Sequence, residues 1–489
     1  MRRIVRILLL LGGSLALVAA VPVLADFRPA NDADRAAWRA ELVELERHLS
    51  TAYANFQWTV ASRSLDLPAL HRTADSAIAA ASNRRDARHA IRKLIAAFGD
   101  GHLHASPPDH PVLRLAERVW RGAGGPIDRS VGPERACRGM GFDTRGSDFT
   151  TRFDRRDRYR ELARAPFRAG VISFEGSTIG VLRIAHFGED GYAAACEQAW
   201  PAFAAGPGPC DESCQDSLFT AVGDRLLDQL AEALTAMRNA GAAALVVDVT
   251  GNGGGTNLAD AVARELTATP LRALPVGMIR HPHSAAAIRA DDSLLAVDAA
   301  NPALADSLRR LAQSVRARLA RTLAETDTAC DLTPLWQEGS AGCPLLVRDS
   351  IWATGSLAYA APDALAGMAS AGSLFSPSAY RYREGAWRGP LYVLLDRHSA
   401  SATEQFAALL RDNGAAILLG ERTMGAGCGY TRGGVRRELA ALGLTIRAPD
   451  CARFRASGEN ERAGIAPDVA VDSDDAEAVL EAVRLSSGL

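Results

Sequence analysis

The sequence predicts an α/β protein with an N-terminal helical region and a long insertion within its α/β core. Two strand–turn–helix units indicate a buried sheet. An apolar run at 244–249 precedes a glycine turn and a helix, and a run at 391–395 precedes a small-residue turn and a helix at 403–413. Continuous apolar runs are typical of strands that are covered on both faces, as in parallel sheets. Helical periodicity over 32–56 and 74–98 predicts the N-terminal helices.

The length indicates a large globular protein, and the charge balance argues against a nucleic-acid-binding one. The chain has 489 residues, 48% of them hydrophobic, which suffices for more than one domain and a large core. Its 55 basic and 57 acidic residues leave a formal net charge of −2, so we expect no nucleic-acid partner. Lys93 is the single lysine.

Residues 1–25 predict a cleaved secretory signal. Three arginines precede an apolar stretch at 7–21, and Val23 and Ala25 supply small residues at −3 and −1. The stretch is too short for a typical membrane-spanning helix, although an uncleaved N-terminal anchor is the alternative. Cleavage before Asp26 removes the three arginines and takes the net charge from −2 to −5. We expect a secreted or periplasmic chain with no integral membrane segment after cleavage.

Eight cysteines fit that compartment, because an even count behind a secretory signal predicts disulfides. A zinc site is the alternative, but Cys210 and Cys214 are four positions apart and lack a second cysteine pair.

Changes of composition and periodicity divide the rest of the chain. The insertion is predicted to hold a helix at 303–325, and nothing specifies an oligomeric state. The predicted parts are an N-terminal helical region (26–104), a connecting segment (105–170), an α/β core in two pieces (171–275 and 389–489) and an insertion or cap (276–388).

The glycine turn at 251–255 follows a buried strand and precedes a helix. Backbone amides at such a helix start suit an anion, either a phosphate or an oxyanion. The spacing does not match Gly-x-Gly-x-x-Gly and no P-loop lysine is present, which argues against phosphate binding. Phosphate binding and a plain tight turn are the two alternatives to an oxyanion site.

Ser401 lies between the second strand and its helix, a position that exposes a hydroxyl above a sheet. A serine there is a nucleophile only if a base can reach it. The alternative is an N-cap, a common role for serine at helix starts.

Three segments of the chain form a recognisable set: 247–255 with its glycines, 391–413 with the following 420–425, and the Gly-Ile-Ala-Pro-Asp-Val stretch at 464–469. Together they resemble the tail-specific, or C-terminal-processing, serine peptidase family, and the resemblance covers about 175–275 and 388–472. It implies a crotonase/ClpP-like ββα core.

The resemblance implies specific site residues. Ser401 would be the nucleophile, three residues before Glu404, and Ser399 is the neighbour to exclude. An oxyanion hole would be formed by backbone amides: Ala402, with either Gly253 or Gly254.

The lysine base of the family's Ser-Lys branch is missing, because Ala426 occupies the position 25 residues after Ser401. The chain is instead similar to the branch of the tricorn core protease and the retinoid-binding-protein repeats. In that branch His102, within Asp100-Gly101-His102, would be the general base. Glu461 would orient it, with Glu459 as the rival; Gly101 replaces a helper serine.

Other interpretations of these residues remain open. His102-Leu103-His104 and His281-Pro282-His283 could mark a metal site, although no local sequence completes a ligand set. Asp412 matches a recurrent acid of the family, or pairs only locally.

The resemblance therefore predicts a secreted serine peptidase that hydrolyses peptide bonds in peptide or protein substrates, without cofactor or metal. The alternatives are a non-catalytic binding protein for apolar ligands or peptides on the same fold, and an esterase-like or degenerate hydrolase. No peptide-docking PDZ signature is recognisable between 105 and 170, so the insertion 276–388 is expected to cover or border the cleft.

We also predict a disulfide between Cys428 and Cys451. If 434–447 folds back as a hairpin, the two cysteines return to the same edge. The bridge would close a loop of about 24 residues and contribute on the order of 3 kcal/mol. A free Cys428 or a more distant partner is the alternative.

Overall fold

The computed structural model describes residues 26–107, 125–148, 150–153, 158–340, 342–352 and 355–487. The predicted signal 1–25 lies outside them. Within the described part of the chain, no helix is both long enough and apolar enough to cross a membrane.

The predicted α/β class is confirmed. The strands are β1 (His104–Ser106), β2 (Tyr159–Ala163), β3 (Arg168–Phe174), β4 (Ser177–Arg183), β5 (Ala244–Asp248), β6 (Pro275–Ile279), β7 (Leu346–Trp352), β8 (Leu391–Leu395), β9 (Ile417–Gly420), β10 (Val435–Leu439), β11 (Leu444–Ala448), β12 (Cys451–Arg453) and β13 (Val469–Ala470).

The helices are α1 (Asp32–Ala52), α2 (Phe56–Ser62), α3 (Leu67–Ala79), α4 (Arg84–Ala97), α5 (Pro133–Gly139), α6 (Ala193–Ala204), α7 (Glu212–Asn239), α8 (Leu258–Glu265), α9 (Pro282–Ala300), α10 (Asp306–Thr326), α11 (Ala371–Leu374), α12 (Ala402–Asp412) and α13 (Ala476–Ser487).

A seven-stranded mixed sheet forms the centre, in the order β13-β9-β8-β5-β4-β3-β2. In this sheet the neighbours β4, β5, β8, β9 and β13 run parallel to one another. β2 and β3 complete it as an antiparallel meander that joins the edge of β4. Every residue of β5 and β8 is buried, as the continuous apolar runs predict. Because β5 and β8 are parallel neighbours, the glycine turn and the turn that holds Ser401 leave the sheet at the same edge.

The N-terminal helices are shorter and more numerous than predicted, and the single helix expected over 74–98 is wrong. α3 ends at Ala79 and α4 begins at Arg84, because the Asn83 side chain accepts a hydrogen bond from the amide of Asp86 and caps a new helix. The helix expected over 32–56 likewise ends at Ala52.

The N-terminal helices share one hydrophobic cluster with the insertion and the C-terminal part of the chain. Trp336 of the insertion and Ile446 of β11 pack with Leu45 and Phe98 in this cluster. The C-terminal end of α4 is thereby fixed against the rest of the molecule, and the loop with His102 follows directly.

The insertion contributes to a second, three-stranded sheet that the sequence did not predict. β6 pairs with β7, and β12 from the C-terminal part of the chain pairs with the other edge of β6. The helix predicted at 303–325 is α10, and α9 packs beside it.

The predicted hairpin over 434–447 corresponds to the antiparallel pair β10–β11, to which β1 adds a third strand. All eight cysteines are paired, so Cys210 and Cys214 form no zinc knuckle. The disulfides are Cys137–Cys196, Cys210–Cys214, Cys330–Cys343 and the predicted Cys428–Cys451.

Candidate active site

Ser401 occupies a strained turn between β8 and α12. Its backbone has φ 58° and ψ −116°, whereas residues other than glycine rarely adopt a positive φ. Such strain persists only where the surrounding structure enforces it, and it is common at functional sites. The amide of Ser401 donates to Glu404 Oε2 at 3.0 Å, so the first turn of α12 holds the residue that precedes it.

Glu404 is a fully buried carboxylate that organises the loop beside Ser401. Its Oε1 accepts from Thr423 Oγ1 at 2.6 Å and from the Gly425 amide at 2.7 Å. Its Oε2 accepts from the Gly427 amide at 2.9 Å as well as from Ser401. A single side chain therefore fixes the glycine-rich turn 425–429 relative to Ser401.

The glycine turn after β5 lies directly against the turn that holds Ser401. A Cβ on Gly254, which has φ +103°, would lie 2.7 Å from the Ala402 nitrogen, so only glycine fits. The Gly254 amide already donates to Asn252 Oδ1 at 2.9 Å, and the Asn252 carbonyl accepts from Ala400 at 3.0 Å. Of the two glycines that the sequence left open, Gly254 therefore has its amide already engaged within the turn.

His102 lies against the far side of the glycine-rich turn. A Cβ on Gly429 would come within 2.5 Å of His102 Cδ2, and the Tyr430 ring meets the imidazole edge-on at 5.7 Å. Tyr430 Oη also donates to the His102 carbonyl. The turn thus connects His102 to Ser401, although no hydrogen bond among the described residues joins the two side chains directly. Catalytic hydrogen bonds are often loose before substrate binds.

Asp100 is the carboxylate nearest to His102 that the contacts of the described residues reveal. Its Oδ1 accepts from the His102 amide at 2.9 Å and lies 3.7 Å from His102 Nδ1. Tyr53 and Arg462 complete its surroundings. Burial raises the pKa of Asp100, but its interactions with His102 and Arg462 outweigh burial and hold the pKa below its ordinary value. The sequence contained this residue in the Asp-x-His motif but did not identify its role.

Glu461 is almost fully buried, with 1% of its surface exposed, and pairs with an arginine that the sequence did not single out. Arg453 Nε donates to Glu461 Oε2 at 2.6 Å. Burial raises the pKa of Glu461 above its ordinary value, and the charge of Arg453 opposes that rise only in part. Glu461 Oε1 and His102 Nδ1 are both buried without a hydrogen-bond partner in the described part of the chain, so a donor and an acceptor are both left over.

The other candidates have local partners. Ser399 is buried and its Oγ donates to the Val249 carbonyl at 3.2 Å, so it is not exposed as a nucleophile would be. Asp412 accepts from the side chain of Arg455 and from the amide of Ala456, which fixes the segment after β12. Glu459 is exposed, whereas Ala426 is buried.

The two His-x-His pairs do not assemble a metal site in the described residues. No group of three or more His, Cys, Asp or Glu side chains there could hold a metal ion. His283 Nε2 instead pairs with Asp450 at 2.9 Å, and His104 is exposed on β1.

Comparison with known proteins identifies the family of the chain and relatives of its fold. The family model described as peptidase family S41 matches residues 178–471, more than half of the chain. The fold is similar to that of mature CPAF, with 14% sequence identity, a TM-score of 0.57, and coverage of 93% of this chain and 96% of that chain. The structure of mature CPAF complexed with lactacystin gives 14% identity, a TM-score of 0.56, and coverage of 93% and 98%.

A third solved structure, a putative peptidase from Parabacteroides merdae, is 14% identical, with a TM-score of 0.46 and coverage of 91% and 95%. The family match spans both strand–turn–helix units, the strained serine turn and the glycine turn packed against it. This chain therefore belongs to peptidase family S41 and is a serine-type peptidase.

Proposed function

We propose that the protein is a secreted serine endopeptidase with Ser401 as nucleophile, His102 as general base and Glu461 as the acid that orients the histidine. The observation that carries the proposal is the strained backbone of Ser401, held by Glu404 and packed against Gly254. A serine of only structural importance would not need that conformation.

The reaction would proceed in two steps of acyl transfer. His102 takes the proton of Ser401 Oγ as the hydroxyl attacks the scissile carbonyl, and then returns a proton to the leaving amine. The amides of Ala402 and Gly253 stabilise the negative oxygen that develops in the tetrahedral intermediate. Water then hydrolyses the acyl-enzyme, with His102 again acting as base.

Two carboxylates can orient His102. Asp100 binds the backbone amide of His102 and fixes the loop. Glu461 retains one oxygen free of hydrogen bonds in the described residues, and His102 Nδ1 lacks a hydrogen-bond partner there too. In the proposed mechanism these two atoms pair when substrate binds, which would fix the tautomer and stabilise the imidazolium.

The insertion supports the glycine turn and, in this proposal, borders the substrate cleft. Tyr380 Oη of the insertion donates to Glu189 Oε1 at 2.5 Å, and Thr256 Oγ1 donates to Glu189 Oε2 at 2.9 Å. Thr256 directly follows the glycine turn. A substitution of Tyr380 in the insertion can therefore shift the proposed oxyanion hole, because two hydrogen bonds connect Tyr380 to Thr256 through Glu189.

A fluorophosphonate probe tests the nucleophile directly, because it phosphonylates only an activated serine. We expect the wild-type protein to be labelled on the peptide that contains Ser401. Ser401→Ala should remove the label, whereas Ser399→Ala, at the buried neighbouring serine, should keep it. Label on any other serine would contradict the assignment.

The proposed location is secreted or periplasmic, with a mature chain that begins at Asp26. Four disulfides in the described residues suit an oxidising compartment. N-terminal sequencing of protein from the native host is expected to give Asp26; an intact Met1 would contradict signal cleavage.

A further inference from the structure

Arg453 of β12 has no role in the proposed mechanism, yet its guanidinium donates hydrogen bonds to four groups of the candidate active site. Its guanidinium is buried, with 7% of the residue exposed. Nη2 donates to the Ser401 carbonyl at 2.8 Å and to the Gly427 carbonyl at 2.9 Å. Nη1 donates to Gln405 Oε1 at 2.6 Å, and Nε donates to Glu461 Oε2 at 2.6 Å.

These four acceptors belong to different parts of the site. Ser401 and Gln405 lie at the start of α12, Gly427 lies in the turn that packs on His102, and Glu461 is the proposed orienting acid. A buried guanidinium is costly unless its donors are satisfied and its charge is paired, and both conditions are met here. The planar fork of arginine is needed, because a lysine ammonium cannot reach acceptors in these separate directions.

We propose that Arg453 is a positioning residue of the active site: its guanidinium holds the Ser401 carbonyl to the glycine-rich turn and fixes one oxygen of Glu461, which leaves the other oxygen for His102. The proposal rests on the proposed function of Ser401, His102 and Glu461. Arg453 itself touches no reacting atom.

The location of Arg453 agrees with this role. Cys451, two residues earlier on β12, is joined to Cys428 of the glycine-rich turn. β12 and the turn are therefore tied twice, once by a disulfide and once by the hydrogen bond from Arg453 to Gly427. Ala426, which replaces the lysine of the Ser-Lys branch, is in the same turn.

The charges around Glu461 determine the sign of a pH effect. Arg453 and Arg455 favour its ionised form, whereas burial and the charge of Glu404 oppose it. Arg455 is itself paired with Asp412. Loss of the Arg453 charge should therefore raise the pKa of Glu461 further, so that a higher pH is needed to ionise the acid.

The rate of fluorophosphonate labelling of Ser401, measured against pH, tests the proposal without knowledge of the natural substrate. In Arg453→Gln we expect labelling to slow by about 10²-fold, as for a nucleophile displaced by a fraction of an ångström to one ångström. The acidic limb of the profile, where the labelling rate falls as the pH is lowered, should also move to higher pH by about one unit. A slower rate with an unmoved limb would mean that Arg453 is only structural, and would overturn the proposal.

Arg453→Lys separates the two roles and guards against misfolding of the glutamine variant. It keeps the charge but loses the fork, so the limb should stay near its wild-type position while the rate falls. Wild-type labelling in Arg453→Lys would overturn the proposal. Thermal melts of each variant show whether the fold survives.

Arg455→Gln is the matched control, because Arg455 is equally buried and only two residues away but binds Asp412. It should lower the melting temperature and move the acidic limb much less than Arg453→Gln does. Equal movement in both variants would overturn the proposal as a general charge effect. Failure of wild-type Ser401 to be labelled would overturn both proposals, whereas labelled wild type with unaffected Arg453 variants overturns only this one.

Discussion

His102→Ala is expected to lose peptidase turnover on the order of 10³-fold or more while the protein still folds. The imidazole is partly exposed and lies in a loop, so its removal leaves no large cavity. The chemical loss is large because no residue of the glycine-rich turn 425–429 offers Ser401 another base, and Ala426 cannot replace His102. The measurement is kcat/KM on a fluorescent protein substrate, with circular dichroism to verify the fold.

His104→Ala is the matched control for that variant. His104 is two residues away and exposed on β1, where it is paired in register with Arg447 of β11. It should retain nearly full activity.

Ser401→Ala combined with His102→Ala should be no slower than either variant alone, because the effects of residues that act as one unit are strongly non-additive. Full activity in His102→Ala would rule out His102 as the base.

Activity should also fall as the pH is lowered, because a histidine base must be neutral to accept the Ser401 proton and Glu461 must be ionised to orient that histidine. A profile that rises only at strongly alkaline pH would instead indicate a lysine-like base. The measurement is the initial rate of labelling or peptide hydrolysis over a pH series, at constant ionic strength.

The local parts of this architecture were readable from the sequence. A buried apolar run, a turn of small residues and a helix are neighbours along the chain, so both strand–turn–helix units and the position of Ser401 could be predicted. The helix boundaries near Asn83 were missed because the capping hydrogen bond competes with a helical periodicity that continues through it.

The contacts that complete the site are long-range and could not be predicted in the same way. Arg453 bonds to Ser401, 52 residues earlier, and the strand that positions it is only three residues long. Glu461 could be proposed as the orienting acid by resemblance to a family pattern, but its pairing with Arg453 depends on how β12 pairs with β6. Chain spacing contains no information about that register.

Glu404→Gln is expected to destabilise the fold by about 3 kcal/mol and to abolish most activity. The carboxylate of Glu404 accepts four hydrogen bonds in a fully buried site. An amide replaces one acceptor oxygen with an NH₂ group, which then faces N–H donors of the backbone. Neither orientation of the amide satisfies all four donors, and water cannot reach those left over.

The same substitution at Glu421 provides the comparison, because Glu421 is only partly buried and its Oε2 accepts from the Arg397 amide at 3.3 Å. Glu421→Gln should change the free energy of unfolding by less than about 0.5 kcal/mol. Urea denaturation gives both values, and labelling of Ser401 below the transition separates lost geometry from lost fold. If Glu404→Gln were as stable and as active as Glu421→Gln, Glu404 could not be what holds the glycine-rich turn against the nucleophile.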